Sequence, residues 1–245
     1  MTVSIHQPNF IPWIGYFYKI YSSDIFVILD DVQYTKNGFT NRNKIRTSNG
    51  MGWLTVPIVS SFGQNINKVK IHDKEFNIKK IIKSIEQNYN KSSYFDNYFK
   101  DISYILNVSG ENLCKINIDL IKYIVDVLKI DTEILISSEL KNINGKSTDR
   151  LVSICKNVGA TSYFSGFGGM KYQEENMYNK NNIDLVYTDF NHPIYEQRWK
   201  NEFIPNMSII DLLFNNGPFS LDVIMSYNEN MTVLSKKNNF THEKK

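Results

Sequence analysis

The first thirty residues alternate strand-like and helix-like patterns within a short span, and this constrains the fold more than any other segment. Val3 and Ile5 belong to one short apolar run, and residues 25–29 (IFVIL) form another. Between the two runs, apolar side chains recur at helical spacing over residues 13–21. A strand, a helix and a second strand joined this closely predict a parallel pair. The connecting loop then lies at the carboxyl edge of the first strand, where α/β sheets bind ligands.

The same alternation returns in the second half of the chain. Strand-like runs occur at residues 133–136, 162–165 and 184–187, with a helix predicted to begin at Ser147 or Thr148. Residues 35–51 are polar and indicate a long surface loop or a short hairpin.

One stretch interrupts the alternation, because it contains three amphipathic helical patterns and no convincing strand. We therefore predict an α/β protein with a mainly parallel, Rossmann-like sheet and an inserted helical subdomain. The predicted α/β core comprises residues 1–75 and 131–234, the helical insertion residues 76–130, and a polar tail residues 235–245.

Composition excludes several classes of protein. The 245 residues, 42% of them hydrophobic, suffice for one sizeable core, and a net charge of +3 without a basic cluster argues against nucleic-acid binding. Cys114 and Cys155 fall in helical patterns with apolar neighbours, which predicts buried free thiols and a reducing compartment. No apolar run is long enough to span a bilayer and no signal segment is visible, so we expect a cytoplasmic protein without direct membrane insertion.

The first group of candidate site residues follows the first predicted strand. His6, Gln7 and Asn9 lie on the loop at its carboxyl end, and Trp13, Gly15 and Tyr16 open the next helix. His6 is either an acid–base group or a hydrogen-bonded core residue. Gly15 either lets a ligand approach the helix start or serves close packing.

A second group lies after the strand at residues 25–29. Asp30 and Asp31 are adjacent carboxylates, so we expect one to face the cleft as a base, metal ligand or hydroxyl acceptor and the other to be tied to a backbone amide. Capping of the strand end is the alternative for both. Arg42 is suited to bidentate contact with phosphate or carboxylate, or else forms a surface ion pair, and Lys44 supplies a point charge. Asn43, between them, is a further predicted binding residue.

The remaining candidates are a glycine-rich turn, a histidine and an aromatic side chain. Ser165, Gly166, Gly168 and Gly169, with Tyr172, follow the predicted strand at 162–165 and would let backbone amides crowd an anion, unless a turn with positive φ explains the glycines. His192 is a second candidate acid or base, or a half-buried residue of an X-Pro turn. Trp53, with Trp13, would stack on a sugar or base, or lie in the core.

These residues fall in segments that resemble the WbqC-like proteins, which are encoded among bacterial O-antigen and capsule genes. The matching segments are residues 6–9 (HQPN), 12–16 (PWIGY), 29–34 (LDDVQY), 41–44 (NRNK), 53–57 (WLTVP), 163–169 (YFSGFGG), 192–197 (HPIYEQ) and 208–213 (SIIDLL). Thr55 enters the predicted binding residues through this resemblance. Residues 7–16 are also similar to the opening of nucleotidylyltransferases, where His-x-Gly-His begins the helix, but Trp13 and Tyr16 stand at the two histidine positions.

By resemblance, we expect a transferase or ligase of surface-polysaccharide biosynthesis that acts on a nucleotide-linked amino sugar. Attachment of a glycine-like acyl group to the sugar amine would require an activated carboxylate, which suggests ATP with Mg²⁺ and no metal held by the protein itself. His6, Asp31 and His192 are then the predicted catalytic residues. The expected partners are a nucleotide sugar and a small acyl or amino-acid donor. The alternatives are a transferase that uses a preformed donor without ATP, and a non-catalytic nucleotide-sugar-binding protein.

Overall fold

A computed structural model describes residues 1–188, 190–199 and 202–226. The strands in this part of the chain are β1 (Thr2–His6), β2 (Ile25–Ile28), β3 (Arg42–Thr47), β4 (Gly50–Thr55), β5 (Ile58–Val59), β6 (Lys70–Ile71), β7 (Glu133–Ile136), β8 (Ser162–Gly166) and β9 (Asp184–Thr188). The α-helices are α1 (Ile14–Tyr21), α2 (Lys74–Tyr89), α3 (Phe95–Val108), α4 (Leu113–Val127), α5 (Thr148–Asn157), α6 (Glu175–Lys180), α7 (Ile209–Asn216) and α8 (Ser220–Met225).

Five of the strands form one parallel sheet in the order β7-β2-β1-β8-β9. Counted along the chain, these five strands have the spatial order 3-2-1-4-5, which is the doubly wound arrangement of Rossmann-like folds. The predicted α/β fold with a mainly parallel sheet is therefore confirmed. Strand order reverses between β1 and β8, and this is the point at which open α/β sheets bind ligands.

The central strand and the first helix are buried, and most of their residues are apolar. Val3, Ser4 and Ile5 of β1 are buried, and the Ser4 hydroxyl donates a hydrogen bond to the carbonyl oxygen of Phe164 in the adjacent strand (2.9 Å). In α1 every residue from Ile14 to Ile20 is buried, including Lys19. A helix that is apolar all round is covered on all faces, so Lys19 is carried into the interior with its neighbours.

Helices α2, α3 and α4 follow one another within residues 74–127, without a strand of the central sheet between them. Their inward residues, such as Ile85, Leu106 and Ile121, belong to the same apolar cluster as Phe17 of α1. Asn117 of α4 donates from Nδ2 to the carbonyl oxygens of Pro8 (2.9 Å) and Thr40 (2.8 Å). The helical segment thus packs on the sheet and fixes the loop that follows β1.

The polar stretch at residues 35–51 contributes to an antiparallel hairpin, β3–β4, which was one of the two predicted alternatives. The short helix α8 was not predicted. Cys114 and Cys155 are buried and unpaired, as predicted. In the described part of the chain, the helices lack the combined length and apolar character needed to cross a bilayer. The predicted tail at residues 235–245 lies outside the described residues.

Candidate functional site

A cavity of about 920 Å³ lies at the carboxyl ends of β1, β2 and β8, where the strand order of the sheet reverses. We call it the switch-point cavity. Its wall includes ten of the residues predicted from sequence: His6, Gln7, Trp13, Gly15, Tyr16, Ser165, Gly166, Gly168, Gly169 and Tyr172. The loop after β1 and the glycine-rich turn after β8, separated by about 150 residues in sequence, therefore face a common space.

His6 occupies the carboxyl end of β1 and is half-buried in the cavity wall. Its Nδ1 lies 3.0 Å from the carbonyl oxygen of Gln7, so Nδ1 carries the proton and donates it to that oxygen. The ring packs edge-on against Tyr16, with 4.9 Å between ring centroids. Burial, reinforced by the nearby charge of Lys19, lowers the pKa of His6 to about 4. The imidazole is therefore neutral at physiological pH.

Trp13 and Gly15 shape the wall at the start of α1. A Cβ atom on Gly15 would lie 2.4 Å from Cη2 of the Trp13 indole, which is far inside van der Waals contact. Only glycine lets the indole lie across the first turn of the helix. The indole continues into an aromatic group, with ring centroids 5.4 Å from Phe190 and 6.4 Å from His192.

The glycine-rich turn continues β8 into a 3₁₀ turn over residues Phe167–Lys171. A Cβ on Gly169 would meet Ser165 Oγ at 2.5 Å and Gln173 Nε2 at 2.7 Å, whereas a Cβ on Gly168 would enter open space. Gln173 Nε2 donates to Ser165 Oγ (3.0 Å). No glycine of this turn has positive φ, so Gly169 is required for close packing and not for a left-handed backbone.

The two adjacent carboxylates after β2 have different surroundings. Asp30 is buried and accepts hydrogen bonds from the backbone amide of Ser138 (2.9 Å) and the Ser138 hydroxyl (2.7 Å). Asp31 forms an ion pair with Arg150 of α5, and both side chains are less than one-fifth exposed. The cavity wall includes Arg150 but neither carboxylate. Asp31 is therefore placed to orient Arg150.

Lys19 is a buried basic residue of the cavity wall. It is 5% exposed, and its Nζ donates to the carbonyl oxygen of Ile5 (2.8 Å) at the end of β1. Nζ also lies 5.9 Å from the centroid of the Tyr163 ring. Burial lowers the pKa of the amine to about 7. A substantial fraction of Lys19 is therefore uncharged near neutral pH.

Five predicted binding residues lie on the β3–β4 hairpin outside the cavity, and four of them are at least partly exposed: Arg42, Lys44, Trp53 and Thr55, whereas Asn43 is buried. The Arg42 guanidinium stacks on the Trp53 ring at 4.3 Å and donates from Nη2 to the carbonyl oxygen of Asn37 (2.6 Å). Lys44 Nζ lies 5.7 Å from the same ring. The hairpin gathers these side chains into a separate, partly exposed surface.

Asn9, Asn43 and His192 are also absent from the cavity wall. Asn9 is buried, and Asn43 Nδ2 donates to the carbonyl oxygens of Phe10 (3.2 Å) and Ile11 (2.8 Å), which holds the loop before α1. His192 uses both ring nitrogens: Nδ1 donates to the carbonyl oxygen of Pro193 (2.8 Å), and Nε2 accepts from the amide of Asn206 (2.9 Å). These contacts are structural.

The cavity also contains residues that sequence reasoning did not single out. They are Lys19, Val32, Gln33, Ser147, Arg150, Leu151, Tyr163, Phe167, Thr188 and Phe190, together with Ile5 and Leu29 of the strand ends. The sequence pattern of a single lysine in an otherwise apolar helix could have identified Lys19 as a candidate site residue. Ser147, Arg150 and Leu151 share one helical face by their spacing, but only the tertiary structure directs that face toward the sheet. No group of three or more His, Cys, Asp or Glu side chains is arranged to hold a metal ion within residues 1–188, 190–199 and 202–226.

Comparison with known proteins adds a family to this geometry. The model of the WbqC-like protein family matches residues 7–223, nearly the whole chain. The chain belongs to the WbqC-like protein family. It is also 35% identical over 226 residues to "Uncharacterized protein Rv1507c" of Mycobacterium tuberculosis (strain ATCC 25618 / H37Rv), which covers 91% of this chain and 96% of that protein. The family match includes the His6-adjacent loop, the glycine-rich turn and Arg150.

Proposed function

We propose that this WbqC-like protein is an enzyme that acylates the amine of a nucleotide-linked amino sugar during surface-polysaccharide biosynthesis. The observation that carries the proposal is the switch-point cavity, because doubly wound sheets bind nucleotides at this position. Its volume of about 920 Å³ suits a ligand of nucleotide-sugar size.

The composition of the wall supports a ligand with both a planar and an anionic part. Trp13, Tyr16, Phe167, Tyr172 and Phe190 supply aromatic surface for a base or a sugar ring. The glycine-rich turn allows close approach of a phosphate to the backbone, and Arg150 supplies a guanidinium held by Asp31.

In the proposed reaction the sugar nitrogen attacks the carbonyl carbon of an activated glycine-like donor. The new amide bond replaces the bond from the carbonyl carbon to its leaving group, and the amine proton passes to a base. With ATP as the activator, pyrophosphate leaves first, AMP leaves on amide formation, and Mg²⁺ enters with the nucleotide. His6 is the proposed proton acceptor in the cavity, with its unprotonated Nε2.

A preformed acyl donor is the second candidate, and one observation favours it. The positions that carry paired histidines in nucleotidylyltransferases hold Trp13 and Tyr16, which are aromatic wall residues here. Neither side chain is a cation that would stabilise charge on a transferred nucleotidyl group. A donor already activated by another enzyme would make that chemistry unnecessary.

The test is incubation of the full chain with ATP, glycine and a UDP-linked sugar that has a free amine. Release of AMP and pyrophosphate, together with a glycylated sugar nucleotide in the mass spectrum, supports ATP-driven ligation. A glycylated product formed only from a glycyl thioester identifies the preformed-donor reaction. The Arg150→Ala variant should lose either activity, whereas Lys122→Met, on the exposed face of α4, should retain it. Absence of product with both donors contradicts the proposal.

A further inference from the structure

The two basic side chains in the wall of the switch-point cavity differ in whether they have a counter-ion. Arg150 is paired with Asp31, and His6 is neutral at physiological pH. Lys19 has no carboxylate within ion-pair distance among the residues that the structure describes. A buried ammonium without a counter-ion is costly, so the neutral amine is favoured until an anion in the cavity supplies the compensating charge.

The geometry of Lys19 leaves room for such a charge. An ammonium group has three donors, and one of them is directed at the carbonyl oxygen of Ile5 (2.8 Å). That hydrogen bond anchors Nζ at the carboxyl end of β1, next to the point where strand order reverses. The other donor positions remain for a ligand in the cavity.

The wall of the switch-point cavity contains further titratable groups besides Lys19. These groups are His6 from β1, Tyr16 from α1, Tyr163 from β8, Tyr172 after the glycine-rich turn, and Arg150 of α5 with its partner Asp31. Burial raises the pKa of Tyr16 and of Tyr163, and it lowers that of His6 to about 4. Burial brings the pKa of Lys19 to about 7.

We propose that Lys19 binds an anionic group of the ligand, a phosphate or a carboxylate, and takes up a proton from solvent as the ligand enters. The anion supplies the missing counter-charge and so favours the ammonium form. The proton comes from buffer, so the bound state gains one positive charge opposite the ligand's negative charge. This inference rests on the proposed function only in taking the switch-point cavity as the ligand site.

The coupling has a defined pH dependence. Below pH 7 the amine is already mostly protonated, so Lys19 adds little pH dependence to the affinity for the anion. Above pH 7 each binding event must add a proton, so the affinity falls about tenfold per pH unit until the pKa of the bound amine is reached. A permanently charged side chain at the same position would bind without this dependence.

Isothermal titration calorimetry on the full chain tests the proposal at pH 8, in Tris and in HEPES, whose ionisation enthalpies differ. UDP and inorganic pyrophosphate are the phosphate probes, and glycine and acetate are the carboxylate probes. At pH 8 the terminal phosphate of UDP is already close to fully ionised, which limits its own proton exchange, so UDP supplies the proton count and pyrophosphate, which still holds a proton at this pH, reports binding only. We expect at least one probe class to bind the wild-type protein with uptake of nearly one proton per ligand.

Three variants test whether Lys19 is the group that takes up the proton. Lys19→Met should weaken binding at pH 7 at least tenfold and abolish the uptake. Lys19→Arg should keep binding, without proton uptake and with an affinity for UDP that is flat from pH 7.5 to 9. Lys122→Met, an exposed lysine of α4, should behave as the wild type. Proton uptake by the wild-type protein can be measured without any variant. This measurement therefore still tests the proposal if a substitution at Lys19 prevents folding.

Four results would overturn the inference: no binding of any probe, binding without proton uptake, wild-type affinity in Lys19→Met, or uptake that persists in Lys19→Arg. Failure of the turnover assay with retained, proton-linked anion binding would instead count against the proposed function alone. Turnover without proton-linked binding would overturn the role of Lys19 and leave the proposed function standing.

Discussion

Arg150 of α5 and Asp31 of the loop after β2 form an ion pair in the wall of the switch-point cavity, with side chains 17% and 19% exposed. Ser137 supports the pair from the end of β7 through a hydrogen bond to Asp31 Oδ1 (2.6 Å). The carboxyl end of the sheet is thus connected to the first turn of α5. A guanidinium held this way is pre-oriented, so little conformational entropy is lost when a ligand binds it.

Asp31→Asn should destabilise the fold by ~2 kcal/mol, because it leaves the Arg150 guanidinium largely buried without its counter-charge. Urea unfolding followed by circular dichroism measures the change. Glu75→Gln is the matched control, since it breaks the exposed Glu75–Lys79 pair of α2 and should leave the midpoint unchanged. Equal shifts in the two variants would contradict the structural role of the Asp31–Arg150 pair.

Lys19→Met should stabilise the protein at pH 7, and the gain should shrink as the pH rises. Between the folded-state pKa of about 7 and the usual pKa of a lysine, the unfolded chain binds a proton that the folded chain does not. Wild-type stability therefore rises with pH in this window by about 1.4 kcal/mol per unit, while methionine contributes no such slope. Unfolding free energies at pH 7, 8.5 and 10 test this. A constant difference across the three would show that Lys19 is not neutral in the folded protein.

His6 should make the protein sensitive to acid. Its folded-state pKa of about 4 lies below the value of 6.5 for a free histidine, so the unfolded chain binds more protons between these pH values. Its contribution is fully present above pH 6.5 and is lost as the pH falls toward 4. His6→Asn should flatten the stability profile in that range. At pH 8 the imidazole is neutral in both the folded and the unfolded chain. Any difference in stability between the wild type and His6→Asn at this pH therefore reflects packing alone.

Gly15→Ala should be destabilising by ~1–3 kcal/mol although alanine is the better helix former, because its Cβ would collide with the Trp13 indole. Indole displacement should also shift the tryptophan fluorescence. Gly168→Ala is the control, since a Cβ there meets open space, and its unfolding midpoint should stay close to that of the wild type. A more stable Gly15→Ala variant would show that the indole does not lie across the helix start.

Trp13→Ala and Trp53→Ala distinguish the cavity from the hairpin surface. Trp13 belongs to the cavity wall, so its removal should weaken UDP binding about tenfold or more. Trp53 lies on the β3–β4 hairpin, and its removal should change that affinity by less than about twofold. The reverse pattern would move the ligand site to Arg42, Lys44 and Trp53.

The parts of the fold that depend on short-range sequence patterns could be predicted from the sequence. The apolar runs at Val3–Ile5 and residues 25–29, with a helix between them, dictate a parallel pair, and the parallel sheet then places His6 and Ser165 at one edge. Gly15 and Gly169 were also visible in the sequence. The reason that glycine is needed at these two positions is the nearby Trp13 ring and Ser165 side chain, and only the three-dimensional structure shows these contacts.

The rest of the site depends on tertiary structure. Arg42 and Lys44 have the charge expected of a phosphate site. However, they lie on the surface of the hairpin that β3 forms with β4, outside the cavity. Arg150 reaches the cavity because α5 packs beside the end of β2, a contact between residues 119 positions apart in sequence. Residue type alone does not distinguish these two outcomes, since both arginines are equally suited to an anion.

The position of β1 also affects how the chain is made. This strand is synthesised before the other four strands of the sheet, yet it lies in the middle of the sheet and pairs with β8, whose residues are about 160 positions later. Because the ribosome releases the chain from its amino terminus, one edge of β1 stays unpaired until β8 has emerged. The nascent protein therefore carries an apolar strand with one unpaired edge while about 160 further residues are synthesised, and we expect chaperones that bind extended hydrophobic segments to act at this stage.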